Sequence, residues 1–308
     1  KDKGSDTVDV AFKVIGEFFK LDKPVSVVIW TTTPWTLPAN EAVALNPELD
    51  YALVDLGEQY YMLAEDLLES ALGRFGLKAL NILDKVYKGS DLEGIMLQHP
   101  FYDKQVPIIL GDHVTTEAGT GAVHTAPAHG QDDYVVGLKY NLPVECPVDG
   151  RGVFVDSTEG VAGEFIFKAN STIITLLKNK GTLVKHEPIN HSYPHCWRHK
   201  TPVIFRATPQ WFVSMTQKKL RDKVNEEILN VKWIPDWGQK RIELMVGNRP
   251  DWCISRQRYW GTPITLFINK NSGELHPETE SLFEIVAKKI ELEGIEAWFK
   301  LRVEDILG

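Results

Sequence analysis

Residues 119–134 read Gly-Thr-Gly-Ala-Val-His-Thr-Ala-Pro-Ala-His-Gly-Gln-Asp-Asp-Tyr and set two imidazoles, His124 and His129, beside the paired carboxylates Asp132 and Asp133. Imidazole and carboxylate are the groups that move protons near neutral pH, hold a metal-activated water or grip a cationic substrate. The glycines and Pro127 of the same stretch predict an irregular backbone that exposes its neighbours instead of hiding them in a helix or strand. A second cluster lies upstream, in Trp30-Thr31-Thr32-Thr33-Pro34-Trp35-Thr36-Leu37-Pro38-Ala39-Asn40. Its prolines exclude a central strand or a helix interior. Its threonines line a turn with hydroxyls that can hold a water or a carbonyl oxygen, and with methyls that narrow a pocket.

A covalent nucleophile is not indicated. The chain contains no Gly-x-Ser-x-Gly elbow, and Cys146 and Cys253 have no histidine close in sequence. Nor does it contain Gly-x-x-x-x-Gly-Lys-Ser/Thr, or Gly-x-Gly-x-x-Gly after a strand, so nucleotide hydrolysis by a phosphate-cradling loop is not expected. Small hydroxyls with one or two carboxylates suit recognition of an ammonium group beside a hydrolysable bond. Such a buried carboxylate–ammonium pair is worth about 2–5 kcal/mol by truncation. Other uses stay open at this level. Asp132 and Asp133 could cap the helix predicted over 132–140, with both histidines as satisfied structural groups. His124, His129, Asp132 and Asp133 could hold a hydrolytic metal, although none of the short metal-hydrolase signatures is present. His191, His195, Cys196 and His199 offer half a zinc knuckle with no partner pair, and read better as a surface loop held by hydrogen bonds.

The elements that must position these groups follow from periodicity. Val8, Val10, Phe12 and Val14 alternate with Thr7, Asp9, Ala11 and Lys13 as in a half-buried strand. Further strands are predicted over 25–32, 51–56, 60–63 and 106–110, with a helix over 65–75 and a loop over 145–163. Helical spacing over 165–180 ends at Gly181, and a histidine-rich loop is expected over 191–202. Composition then shifts: six of the nine tryptophans lie after residue 205, along with a basic stretch around Arg256 and Arg258. Helices are predicted there over 217–229, 238–246 and 280–293, with a boundary between about 200 and 210.

A chain of 308 residues, 43% hydrophobic and 25% charged, has the material for two domains and a proper core. No apolar run approaches the roughly 18–20 residues of a membrane span. The first residues resemble no signal peptide and lack an initiator Met, which suggests a chain cut from something longer. Three scattered cysteines suggest a reducing compartment. A net charge of −8 argues against coating nucleic acid, which needs a basic face, but leaves room for local binding of one RNA end.

Taken together, residues 30–40, 119–134 and 251–261 resemble the isoleucyl-tRNA synthetases, nearly end to end. The related valyl and leucyl enzymes carry Thr-Thr-Arg-Pro or similar where this chain has Thr32-Thr33-Pro34. The His-Ile-Gly-His and Lys-Met-Ser-Lys-Ser type signatures for ATP are not in this sequence. The resemblance therefore implies the insertion called connective peptide 1, or the editing domain: an α+β fold, β-rich and barrel-like with packed helices over 1–205, followed by a helical connective segment over 206–308 that leads back to the catalytic domain. It implies hydrolysis of valine misattached to tRNA(Ile), by an oriented water and without cofactor or metal. Asp133 would bind the α-ammonium, His124 would flank the side chain and exclude isoleucine, and Thr31, Thr32, Thr33 and Thr36 would form the pocket. Trp30, Asp132 and His129 would touch the substrate. Expected partners are the valine-bearing acceptor end of tRNA(Ile) and the remainder of the synthetase, in a cytoplasmic monomer with no membrane contact. A non-catalytic module that docks the tRNA end is the alternative.

Two positions depart from the family pattern. Ala128 stands where glycine is usual and must keep a negative φ if the loop is unchanged. Gln131 replaces a proline. Arg256 and Arg258 read equally as a solvated charged stretch or as contacts to tRNA or to the rest of the synthetase.

Overall fold

The computed structural model describes residues 1–256 and 261–307, so Arg258 lies outside the described residues. The chain divides into two compact units, Lys1–Thr208 and Pro209–Gly308. In the first unit the elements run β1 (Asp2–Lys13), β2 (Val25–Thr31), β3 (Ala42–Leu45), β4 (Asp50–Asp55), β5 (Tyr60–Ala64), α1 (Leu68–Phe75), β6 (Asn81–Lys88), β7 (Met96–Gln98), β8 (Gln105–Leu110), β9 (Ala122–Thr125), α2 (Gln131–Lys139), α3 (Ile166–Lys180) and β10 (Leu183–Ser192). One sheet has the order β10-β1-β2-β5-β4-β6 and a second the order β7-β8-β3-β9. The chain beyond β1 bends from the first into the second, where Val14 bridges Leu97 and the Ile15 N–H donates to Met96 O at 2.8 Å. The fold is α+β as expected, but the sheets are open: β10 and β6 end the first sheet unpaired with each other, so the barrel-like closure is not formed.

The main core lies on one face of the larger sheet. Val8, Val10, Phe12, Val27, Ile29, Leu53 and Met62 meet Leu37, Leu45, Ile108, Ile173 and Leu177 there. Burying each such side chain contributes about 1.5–3 kcal/mol. The opposite face is not solvated, as the alternation in β1 had suggested. Ala11, Val28, Val54, Tyr61 and Leu63 are covered by Ala71 and Phe75 of α1, so β1 is buried on both sides over its second half. Helix α3 begins one residue later than its predicted start and ends where expected, at Gly181 in the left-handed conformation.

Two expected irregular stretches contain strands. Residues 122–125 form β9, because Ala42↔Thr125 and Val43↔His124 pair it with β3. The first part of the histidine-rich stretch belongs to β10, which pairs along nearly the whole of β1 from Asp2↔Ser192 to Val10↔Leu183.

In the second unit β11 (Phe212–Val213) pairs with β12 (Trp252–Cys253). The helices are α4 (Leu220–Asn230), α5 (Trp237–Gly247) and α6 (Thr279–Glu293), with two short ones following. Arg256 turns its guanidinium onto its own backbone, donating to Cys253 O at 2.9 Å and Ser255 O at 2.7 Å. Among the described residues no helix is long and apolar enough to cross a membrane.

Candidate functional site

Residues Pro34–Ala39 form a 3-10 turn directly after β2, with Pro34 opening it and Trp35, Thr36 and Leu37 buried. Its polar groups are tied locally. Thr31 Oγ1 accepts from the Thr33 N–H at 3.1 Å and lies 3.2 Å from Thr33 Oγ1. The Thr36 hydroxyl donates to Thr33 O at 2.8 Å. From outside, Asn170 on α3 accepts from the Trp35 N–H at 3.1 Å. His99 Nε2 donates to Leu37 O at 3.1 Å, while its Nδ1 accepts from the Tyr102 N–H at 3.0 Å.

The turn sits on β9 through His124. Its Nε2 is 2.9 Å from Thr36 Oγ1 and its Nδ1 is 2.7 Å from Asn40 Nδ2. Because Asn40 Nδ2 also donates to Ala42 O at 2.8 Å, its other hydrogen points to His124 Nδ1. His124 is thus the tautomer with its proton on Nε2, donated to Thr36. Burial holds His124 down to about 3, helped by the neighbouring His99 and His129. It is neutral with both nitrogens occupied, so it shapes the site and is not placed to take a proton from water.

The second group follows β9. The Ala126 N–H donates to Asp133 Oδ2 at 2.9 Å, so this carboxylate reaches back to the loop and does not cap α2, whose N-cap is Gly130. The approach is close: a Cβ on Gly130 would stand 2.8 Å from Asp133 Cγ. Burial raises Asp133 above the ordinary carboxylate value, against the lowering by the Ala126 N–H, and a carboxylate in that condition gains from an incoming cation. Asp132 is exposed. His129 donates from Nδ1 to Phe205 O at 3.1 Å and meets Trp35 edge to face at 5.0 Å. Ala128 is not among the residues with positive φ, so the alanine fits this loop.

A cleft of about 350 Å³ opens where the two motifs meet, lined by Trp30, Thr31 and Thr32 of the threonine motif and by residues 117–123 with His113 and Thr115. Asp133 does not line it, but His113 lies close enough to act on the Asp133 carboxyl. The structure therefore brings Thr31, Thr33, Thr36 and His124 into one network. Trp30 and Thr32 stand beside it in the cleft, and His129 reaches it through Trp35. Asp132 and Asp133 lie on α2 outside this network, with Asp133 joined to the end of β9 through the Ala126 N–H. Asn40, His99 and Asn170 complete the site and were not assigned from sequence. Asn40 closed the threonine motif in plain view, whereas nothing near His99 or Asn170 in sequence signals their role.

Among the described residues no three His, Cys, Asp or Glu side chains could together hold a metal. In the histidine-rich stretch His191 pairs with Ser5 Oγ at 3.0 Å and His195 with Tyr193 O at 2.7 Å.

A family described as the class I tRNA synthetases (I, L, M and V) matches residues 7–308, and the chain belongs to it. It is similar to the isoleucine–tRNA ligase of Ruthia magnifica subsp. Calyptogena magnifica, 64% identical over 309 residues that cover 100% of this chain and 33% of that protein. The isoleucine–tRNA ligase of Thioalkalivibrio sulfidiphilus (strain HL-EbGR7) is 56% identical over 317 residues, covering 100% and 34%. The chain spans about a third of the length of the curated relatives it matches. Among solved structures, the P. falciparum cytosolic leucyl-tRNA synthetase editing domain matches 61% of this chain and 99% of its own, with 12% identity and a TM-score of 0.48.

Proposed function

We propose that this chain hydrolyses valine wrongly esterified to tRNA(Ile), as the proofreading part of an isoleucyl-tRNA synthetase. Isoleucine and valine differ by one methylene, and this pair is itself the standard illustration that such a difference gives only about 1–3 kcal/mol of discrimination. A second pocket that admits the smaller side chain and excludes the larger multiplies that selectivity. In this reading Asp133 grips the α-ammonium, and Thr31, Thr32, Thr33 and Thr36 with Trp30 place the terminal adenosine and the attacking water. His129 and Asp132 flank the substrate. His124 supports Thr36 and limits the room for a longer side chain. The water attacks the ester carbonyl directly, and the departing group is the tRNA ribose hydroxyl. Positioning and fixed dipoles then supply the acceleration. Amino-acid activation belongs to the remainder of the synthetase, which is a partner together with the acceptor end of tRNA(Ile).

The observation that carries this reading is the 2.9 Å contact from His124 to Thr36, which seats the threonine turn on the strand leading to Asp133. The experiment is release of valine from mischarged tRNA(Ile) by the chain and by its Thr36→Val variant. Thr36→Val keeps the shape but removes the acceptor for His124, and should slow release roughly 10- to 100-fold. Binding of the tRNA end with no hydrolysis above background would instead make the chain a docking module.

A further inference from the structure

Arg74, in the last turn of α1, touches both parts of the cleft wall. Its Nε donates to Asp9 Oδ2 at 3.1 Å, and its Nη2 donates to Asp9 Oδ1 at 2.8 Å and to the Gly119 carbonyl at 3.0 Å. The guanidinium also stands 5.9 Å from the centre of the Trp30 ring. Asp9 and Trp30 are register partners on β1 and β2, so one side chain holds the strand that ends in the threonine turn. Through Gly119 it holds the glycine segment as well. The two contacted walls lie side by side, since a Cβ added to Gly119 would come within van der Waals distance of Trp30 Cε3, at 3.5 Å.

The next two carbonyls of that segment are also held. Thr120 O accepts from the Ala64 N–H at 2.9 Å, and Gly121 O accepts from the Tyr51 hydroxyl at 2.7 Å. A trans peptide points its N–H opposite to its C=O, so holding three successive carbonyls also fixes where the amides of residues 120–122 aim. Two of the holders sit within strands of the sheet. Arg74 alone of the three reaches both Trp30 and the glycine segment.

We propose that Arg74 is a positioning residue that sets the spacing between Trp30 and the 119–123 segment, and thereby the cleft's hold on its substrate. This deepens the proofreading reading and rests on it. Lysine cannot replace it: an ammonium is a single point donor and lacks the planar fork that serves a carboxylate and a carbonyl together.

The test uses the 308-residue chain carrying Arg74→Lys, which keeps a cation beside Asp9. Amide hydrogen exchange should quicken at residues 119–122 while residues 27–29 in the core stay as slow as before. With mischarged tRNA(Ile), KM for valine release should rise on the order of tenfold with kcat changed much less. A folded variant with unaltered exchange at 119–122 and unaltered KM overturns the proposal. If Arg74→Lys does not fold, the pair Asp9→Asn with Arg74→Gln leaves no charge unpaired in the core and is held to the same exchange criterion. If the unsubstituted chain releases no valine, the proofreading reading fails, while the exchange result still decides whether Arg74 holds the segment.

Discussion

Asn40 Nδ2 lies 2.7 Å from His124 Nδ1 and 2.8 Å from Ala42 O, and so decides which nitrogen of the histidine carries the proton. Asn40 is fully buried. Replacing it by Ala leaves His124 Nδ1 with no donor, which costs about 1–3 kcal/mol. Asn40→Asp should act differently: an acceptor at that place draws the proton to Nδ1 and favours the imidazolium. Urea unfolding should show the Ala variant destabilised by that amount. Imidazole NMR should show His124 titrating at higher pH in the Asp variant, and an unmoved titration would mean that the amide does not set the tautomer.

Asp133 separates charge from hydrogen bonding. Asp133→Asn keeps an oxygen that can accept from the Ala126 N–H but removes the charge meant for the α-ammonium. If that charge grips the substrate, valine release should fall by about 2–5 kcal/mol in kcat/KM, with the thermal transition preserved. Undiminished release by this variant would remove Asp133 from the site.

Gly121 cannot carry a side chain at its φ of +79°, where a Cβ would collide with the Cβ of Ala64. Gly121→Ala should cost roughly 2–4 kcal/mol in strain and overpacking and should disturb the cleft first. Thermal melting and valine release by the variant measure the two effects.

The buried histidines predict acid sensitivity. Burial holds His124 down to about 3 and His99 down to about 4, against an ordinary value of 6.5. Below 6.5 the unfolded chain takes up protons that the fold refuses. Their contribution to stability is therefore complete above 6.5 and is lost as pH falls toward 4 and then 3, with His99 accounting for roughly 3 kcal/mol. Asp9 and Asp133, raised by burial, have the opposite sign. Their contribution is complete below the ordinary carboxylate value and is lost as pH rises through their raised values. His99→Gln isolates the histidine share: between about pH 7 and 4.5 its urea midpoint should drop less, or rise more, than that of the unsubstituted chain, and an identical pH dependence would remove His99 from the balance.

Much of this architecture is readable in the chain. The apolar strands β2, β4 and β5 carry enough β-branched and aromatic residues to announce themselves, and α3 shows both its helical spacing and its terminating Gly181. β3 and β9 are four residues each, too short for a period to register, and exist because each gives the other a partner. β10 contains Pro188 and a run of charged and histidine side chains, and is a strand because β1 offers a free edge. The threonine turn and the 119–134 stretch were likewise visible as separate chemical sets.

By itself the sequence determined which groups were available: neutralisable histidines, adjacent carboxylates, a proline-bounded threonine cluster and the glycines around them. Only the tertiary structure decided that His124 lies in a strand with both nitrogens committed, that Asp133 turns back to Ala126, and that His99, Asn170 and Arg74 hold the walls from behind. Side-chain type is local, but protonation, tautomer and reach depend on burial and on partners far away in the chain, which no spacing within a motif records.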